Sequence, residues 1–154
     1  MNARNLLGMP VVVTSQGELI GEVCDLVLKR SLKVEGLVVK GKGSQRLVKC
    51  PDFIIGEDSV LVTNTEGLKP YVEREELSYK GNMGQSLLDV EGREVGIVSD
   101  VILEPETRET IGVEISEGLI RDFLEGRRNQ VSLDDVQVNG IRLTVLTGEG
   151  SARI

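Results

Sequence analysis

Apolar residues along the chain fall into short runs, among them "PVVV", "LVL", "GLVV", "FII" and "VLV", and a glycine or a charged residue closes almost every one. The runs are rich in Val and Ile and too short for helices, so they predict strands. "PVVVT" (10–14) reads as a strand and "SQGE" (15–18) as a turn. "LIGEVCDLVL" (19–28) is a longer strand interrupted by Gly21. "KVEGLVVK" (33–40) and "RLVKC" (46–50) pair across the hairpin turn "GKGSQ", and "SVLVT" (59–63) follows "IIGED". One segment departs from this pattern. In "SEGLIRDFLEGRRNQ", Leu119, Ile120, Phe123 and Leu124 recur at helical spacing and Gly126 can stop the run, which predicts one helix over 117–125.

The pattern repeats. "GELIGEVCDLVL" (17–28) and "GREVGIVSDVIL" (92–103) align at an offset of 75, sharing Gly17/Gly92, Gly21/Gly96, Val23/Val98, Asp25/Asp100 and Leu28/Leu103. Ile20/Val95, Leu26/Val101 and Val27/Ile102 exchange one aliphatic residue for another. Two units of about 60 residues each follow from this, near the lower size limit for independent folding. A glycine at matched strand positions, Gly21 and Gly96, predicts a bulge or sharp bend of the kind a closing barrel requires. The expected organisation is a first domain over 1–65, a polar linker over 66–82 with a helical turn or two, a second domain over 83–147, and a flexible tail over 148–154. The second unit carries about seven more residues than the first between its matched glycine and aspartate, Gly36 to Asp52 against Gly112 to Asp135, and the predicted helix falls in that insertion.

The Gly-x-x-(Ile/Val)-Gly-x-Val-x-Asp core of both repeats, with "PDFIIG" (51–56) at the closing turn, resembles the PRC-barrel family. The resemblance covers everything but the linker and tail. It implies an all-β chain of two small antiparallel barrels in tandem, used as protein-interaction modules and bringing no catalytic residues. Asp25 and Asp100 stand at the family's recurring acid, and a structural role is expected for them, accepting backbone N–H groups at a bend.

Composition narrows the chemistry. The 154 residues contain no His, which removes His-based acid/base catalysis, Ser-His triads and imidazole metal sites. Cys24 and Cys50 form no C-x-x-C pair and lack partners for a zinc site, so both are expected as plain thiols, and no cofactor or metal is expected. "GLVVKGKG" (36–43) falls short of a phosphate-binding loop, because Gly43 stands where Ser or Thr is needed and the four intervening residues read as strand. The acid pairs Glu57-Asp58, Glu75-Glu76 and Asp134-Asp135 read as solvated turn and strand residues. The N-terminal "MNARNLLGMPVVV" reads as neither a signal peptide nor a spanning segment, so a cytoplasmic protein is expected. The resemblance, together with the weakness of every catalytic motif above, implies that it is not an enzyme.

Net charge is −7 and the pI about 4.8, which argues against a dedicated nucleic-acid binder, and no DNA partner is expected. The charge is uneven. Between Lys29 and Lys49 seven basic residues face the single acid Glu35, a balance of +6 that leaves −13 for the remainder. Lys40, Lys42, Arg46 and Lys49 are therefore candidate partner-binding residues, on an acidic protein, on RNA or the ribosome, or less readily on an anionic membrane surface. Leu119 and Phe123, flanked by Arg127 and Arg128, form a second candidate surface, for a partner protein or self-association. Sequence-specific RNA readout is not expected, since two Phe and two Tyr are the whole aromatic supply.

Overall fold

Alternate residues of the first strands point inward, and this sets the architecture: Val11, Val13, Val60 and Val62 are all essentially inaccessible to solvent. The computed structural model describes residues 1–74, 77–116, 130–139 and 142–145. The predicted helix over 117–125 lies outside the described residues, as do the side chains of Leu119, Phe123, Arg127 and Arg128.

The first unit contains β1 (Pro10–Val13), β2 (Glu18–Leu28), β3 (Val34–Lys40), β4 (Gln45–Lys49), β5 (Phe53–Ile55), β6 (Val60–Val62) and β7 (Leu68–Pro70). They form one sheet in the order β5-β6-β1-β2-β3-β4-β7. The second unit contains β8 (Ser86–Leu88), β9 (Glu94–Glu104), β10 (Glu109–Ser116), β11 (Gln130–Ser132), β12 (Val136–Asn139) and β13 (Arg142–Val145), in the order β12-β13-β8-β9-β10-β11. Read strand for strand, the two orders are the same, with β7 added to the first. The chain is two units of one topology.

The bulges repeat as well. Val11 faces Gly21 and Val12 faces Leu19, so Ile20 is extruded; in the second unit Leu87 faces Gly96 and Leu88 faces Glu94, extruding Val95. Cys24 and Ser99 are skipped at the next irregularity, and Glu35 and Ile111 at the third. A bulge bends its strand and increases the local twist, so three matched bulges give both sheets the same curl.

One strand pair in each otherwise antiparallel sheet is parallel. β6 runs parallel to β1, and β13 parallel to β8. The reason is the link from β4 to β5. Only residues 50–52 separate them, yet β5 lies at one end of the strand order and β4 near the other. A link of three residues spans roughly 10 Å, so the sheet must curl until β4 and β5 approach. The chain passes from one to the other without reversing, and β6 therefore returns alongside β1 in the same sense. The link from β11 to β12 is equally short.

The stretch expected to be linker is partly built into the first sheet, since β7 pairs with β4 through Leu68 and Val48. It also holds a four-residue helix, α1 (Tyr79–Asn82), whose first turn is capped where Gly81 N–H donates to Ser78 Oγ at 2.8 Å. The buried side chains of the two units, from Leu6, Leu26, Leu37 and Phe53 to Leu87, Val101 and Ile115, form one continuous apolar cluster.

Gly21 is required by the bend that it marks. Its φ is +154°, and a Cβ there would lie 2.3 Å from the Lys40 carbonyl oxygen. Gly21→Ala is expected to destabilise the protein by at least about 2 kcal/mol, read as a lower denaturant midpoint with an unchanged slope.

Candidate functional site

The basic stretch does not fold into one patch. Lys40 and Lys42 are exposed at the β3–β4 hairpin, and Arg46 lies beside them, opposite Val39, half-buried with its Nε hydrogen unpartnered. Lys49 sits at the far end of β4, opposite Gly36, beside Asp52 and Lys69 in a separate depression. Lys29, Arg30 and Lys33 belong to the β2–β3 connection, at the opposite end of β3 from Lys40. Seven residues of strand, roughly 20 Å, separate the two groups. Among the described residues Lys40, Lys42 and Arg46 form no salt bridge.

The two repeat aspartates lie where the units join. Asp100 is completely buried. Its Oδ1 accepts from Val101 N at 2.8 Å and from the Tyr79 hydroxyl at 2.6 Å, and its Oδ2 from Arg4 Nε at 2.9 Å and Arg4 N at 3.3 Å. Arg4 also pairs with Glu114. Asp25, almost as buried, accepts on Oδ1 from Leu26 N at 2.8 Å and Lys80 N at 3.2 Å. The two sites are equivalent by position: each carboxylate holds the next amide of its own strand and an amide of a segment that precedes the other unit. Sequence reasoning missed Arg4 and Tyr79, because neither lies in the repeated motif.

The thiols of Cys24 and Cys50 are free, and burial raises the pKa of both. Burial and then the hydrogen bond to Asp100 push the Tyr79 phenol well above its usual range. The acids Glu57 and Asp58 are exposed in the β5–β6 turn, and no group of three potential metal ligands exists among the described residues. No helix there is long and apolar enough to cross a membrane. "GLVV" is strand β3, with its amides in the sheet ladder and not turned toward a ligand.

The first unit's outer surface holds a feature that lies outside the repeated motif. Ile54 faces Leu61, Leu61 faces Val12, and Val12 faces Leu19, so four aliphatic side chains follow one another across four strands. Ile54 is 57% and Leu19 64% exposed, and the other two are half-buried. At the Leu19 end, Pro10, Ile20, Lys40 and Lys42 shape an open groove. The second unit has Gln137, Thr144, Leu88 and Glu94 at the same four register positions. The fold therefore does not require aliphatic residues there. The signal was legible in "PVVV", "FII" and "VLV", which are apolar on both faces where a surface strand alternates.

A family model described as PRC-barrel domain matches the chain twice, over residues 1–69 and 83–151. No curated protein matches it.

Removing the Asp100 carboxylate leaves the Tyr79 hydroxyl and several N–H groups without an acceptor. Asp100→Ala is expected to cost about 3 kcal/mol in chemical denaturation, and Asp25→Ala less. The raised Tyr79 pKa also fixes a pH dependence. The unfolded phenol ionises near pH ~10 while the folded one keeps its proton, so stability is intact below that pH and falls as pH rises beyond it. Tyr79→Phe should flatten this alkaline decline, with Tyr71, whose pKa burial also raises, accounting for part of what remains.

Proposed function

Because the chain belongs to the PRC-barrel family, whose domains are generally non-catalytic and often mediate protein interactions, we propose that it is a non-enzymatic adaptor that binds a protein partner through the outer face of its first unit. The observation that carries this reading is the aliphatic row Ile54, Leu61, Val12 and Leu19, which is exposed at both ends in the first unit and replaced by mostly polar residues in the second. Apolar side chains left in water over several strands mark a surface that another molecule covers. At the Leu19 end the groove carries Lys40 and Lys42 against the single acid Glu22, a balance that favours a partner whose apolar contact residues are flanked by acidic ones. The buried carboxylates serve cohesion: both oxygens of Asp100 and Oδ1 of Asp25 accept from protein donors, which supports a non-catalytic role.

A second reading, an RNA or ribosome accessory factor, is favoured by the convergence of Lys40, Lys42 and Arg46 at one hairpin. The wide separation of Lys49 and of the β2–β3 basic residues from that hairpin weakens it, since a nucleic-acid backbone is tracked by a continuous stripe of charge.

The two readings separate on two variants. Leu19→Glu is expected to abolish retention of the partner from native lysate while shifting the melting temperature by no more than a few degrees, since the residue is mostly exposed. Lys40→Gln with Lys42→Gln should weaken the same retention partially and make it less salt-sensitive. Co-purifying nucleic acid that dissociates with salt, lost in the lysine variant and kept in Leu19→Glu, would instead support the RNA reading.

A further inference from the structure

The join between the units has the form of an exchange. The segment that precedes the first unit, residues 1–7, lies on the second. Asn2 forms an antiparallel bridge with Ile102, and Met1 and Leu103 exchange main-chain hydrogen bonds, each at 2.7 Å. Arg4 N reaches Asp100, and Asn2 Nδ2 donates to Glu114 Oε2 at 3.0 Å. The segment that precedes the second unit, residues 77–83, lies on the first. Ser78 bridges Val27, and Lys80 N reaches Asp25.

The equivalence is positional throughout. Val27 and Ile102 differ by the repeat offset of 75, and Asn2/Ser78 and Arg4/Lys80 by 76. Each arm then enters its own unit by the same pair of main-chain bonds, Gly8 N to Val23 O with Val23 N to Met9 O, and Gly84 N to Val98 O with Val98 N to Gln85 O. Each arm also turns at a glycine with positive φ, +88° at Gly8 and +92° at Gly84. Each unit therefore supplies an arm to the other.

Two further contacts cross the join. Thr110 Oγ1 donates to the Leu32 carbonyl at 2.8 Å, and the Arg108 guanidinium lies 5.9 Å from the centre of the Phe53 ring. Leu32 and Arg108, again 76 apart, are the two non-glycine residues with positive φ among those described.

We infer that this join is a protein–protein interface in its own right: the partner that each unit's arm-binding surface fits is the arm of another PRC-type unit, and the covalent connection between the units is dispensable for their association. None of the contacts above passes through residues 71–74, where Val72, Glu73 and Arg74 are exposed. The inference is independent of the adaptor reading, which concerns the outer face of the first unit.

The experiment cuts the full-length folded protein at a site-specific protease sequence inserted between Val72 and Glu73, and follows the two fragments by native size exclusion and by dilution. The expected result is that the fragments elute together at the position of the uncut protein. Arg4→Ala, whose side chain is half exposed, should leave the uncut protein folded and weaken association of the cut fragments at least about tenfold. Asp100→Ala should separate them more completely. Wild-type fragments that part under native conditions overturn the inference. Cut fragments whose dissociation is unchanged by Arg4→Ala overturn the arm exchange as its basis, whether or not Asp100→Ala folds.

Discussion

A single carboxylate, that of Asp100, carries the organisation of this molecule. Completely buried, it is stable only because each oxygen has donors, and those donors come from three separate stretches of chain: Val101 beside it, Arg4 from the first arm and Tyr79 from the second. A buried carboxylate left without such partners would be strongly destabilising, so the constraint acts in both directions. The arms are held because the carboxylate needs them, and the carboxylate is tolerated because the arms arrive. The apolar cluster that continues from one unit into the other closes around this point, with Leu6 and Tyr79 brought in by the arms themselves.

The duplicated partner of this site shows how a symmetric join becomes asymmetric. Asp25 keeps the two amide contacts that the repeat geometry dictates. The position equivalent to Tyr79 is Ala3, and the one equivalent to Glu114 is Val38, so Asp25 has neither the phenol donor nor the arginine–glutamate pair that surrounds Asp100. Main-chain contacts have persisted across the duplication while side-chain contacts have diverged. The same division runs through the surface. Bulges and strand order are shared by both units, whereas the register positions held by Ile54, Leu61, Val12 and Leu19 in the first carry mostly polar residues in the second.

Electrostatics illustrates why a linear count misleads. Seven basic residues within 21 positions look like one patch, yet β3 and β4 are extended, and a strand carries charges at its two ends far apart. The +6 stretch resolves into the Lys40–Lys42–Arg46 corner at one end of β3 and the Lys29–Lys33 connection, with Lys49 on the neighbouring strand, toward the other. At physiological ionic strength, groups separated by roughly 20 Å act as independent sites, because that distance exceeds a Debye length.

Much of the fold was legible in the residues because it depends on local periodicity. Short Val/Ile runs between glycines read as strands, the offset of 75 reads as two equal units, and Gly21 reads as a bend because Gly96 stands at the matched strand position of the second unit. The parallel return of β6 and β13, the capture of Leu68–Pro70 as a seventh strand, and the exchange of arms were not legible, because each joins residues distant in sequence through contacts that no repeat motif encodes. The aspartates could be picked out and given a structural role from their place in the motif, but Arg4 and Tyr79 could not be matched to Asp100, since 96 and 21 positions separate them from it. The sequence by itself determined what each unit is, for strand, turn and bulge follow from side-chain alternation and backbone freedom within a few residues. Only the tertiary structure decided how the two units become one molecule, because a buried charge selects its partners by position in space.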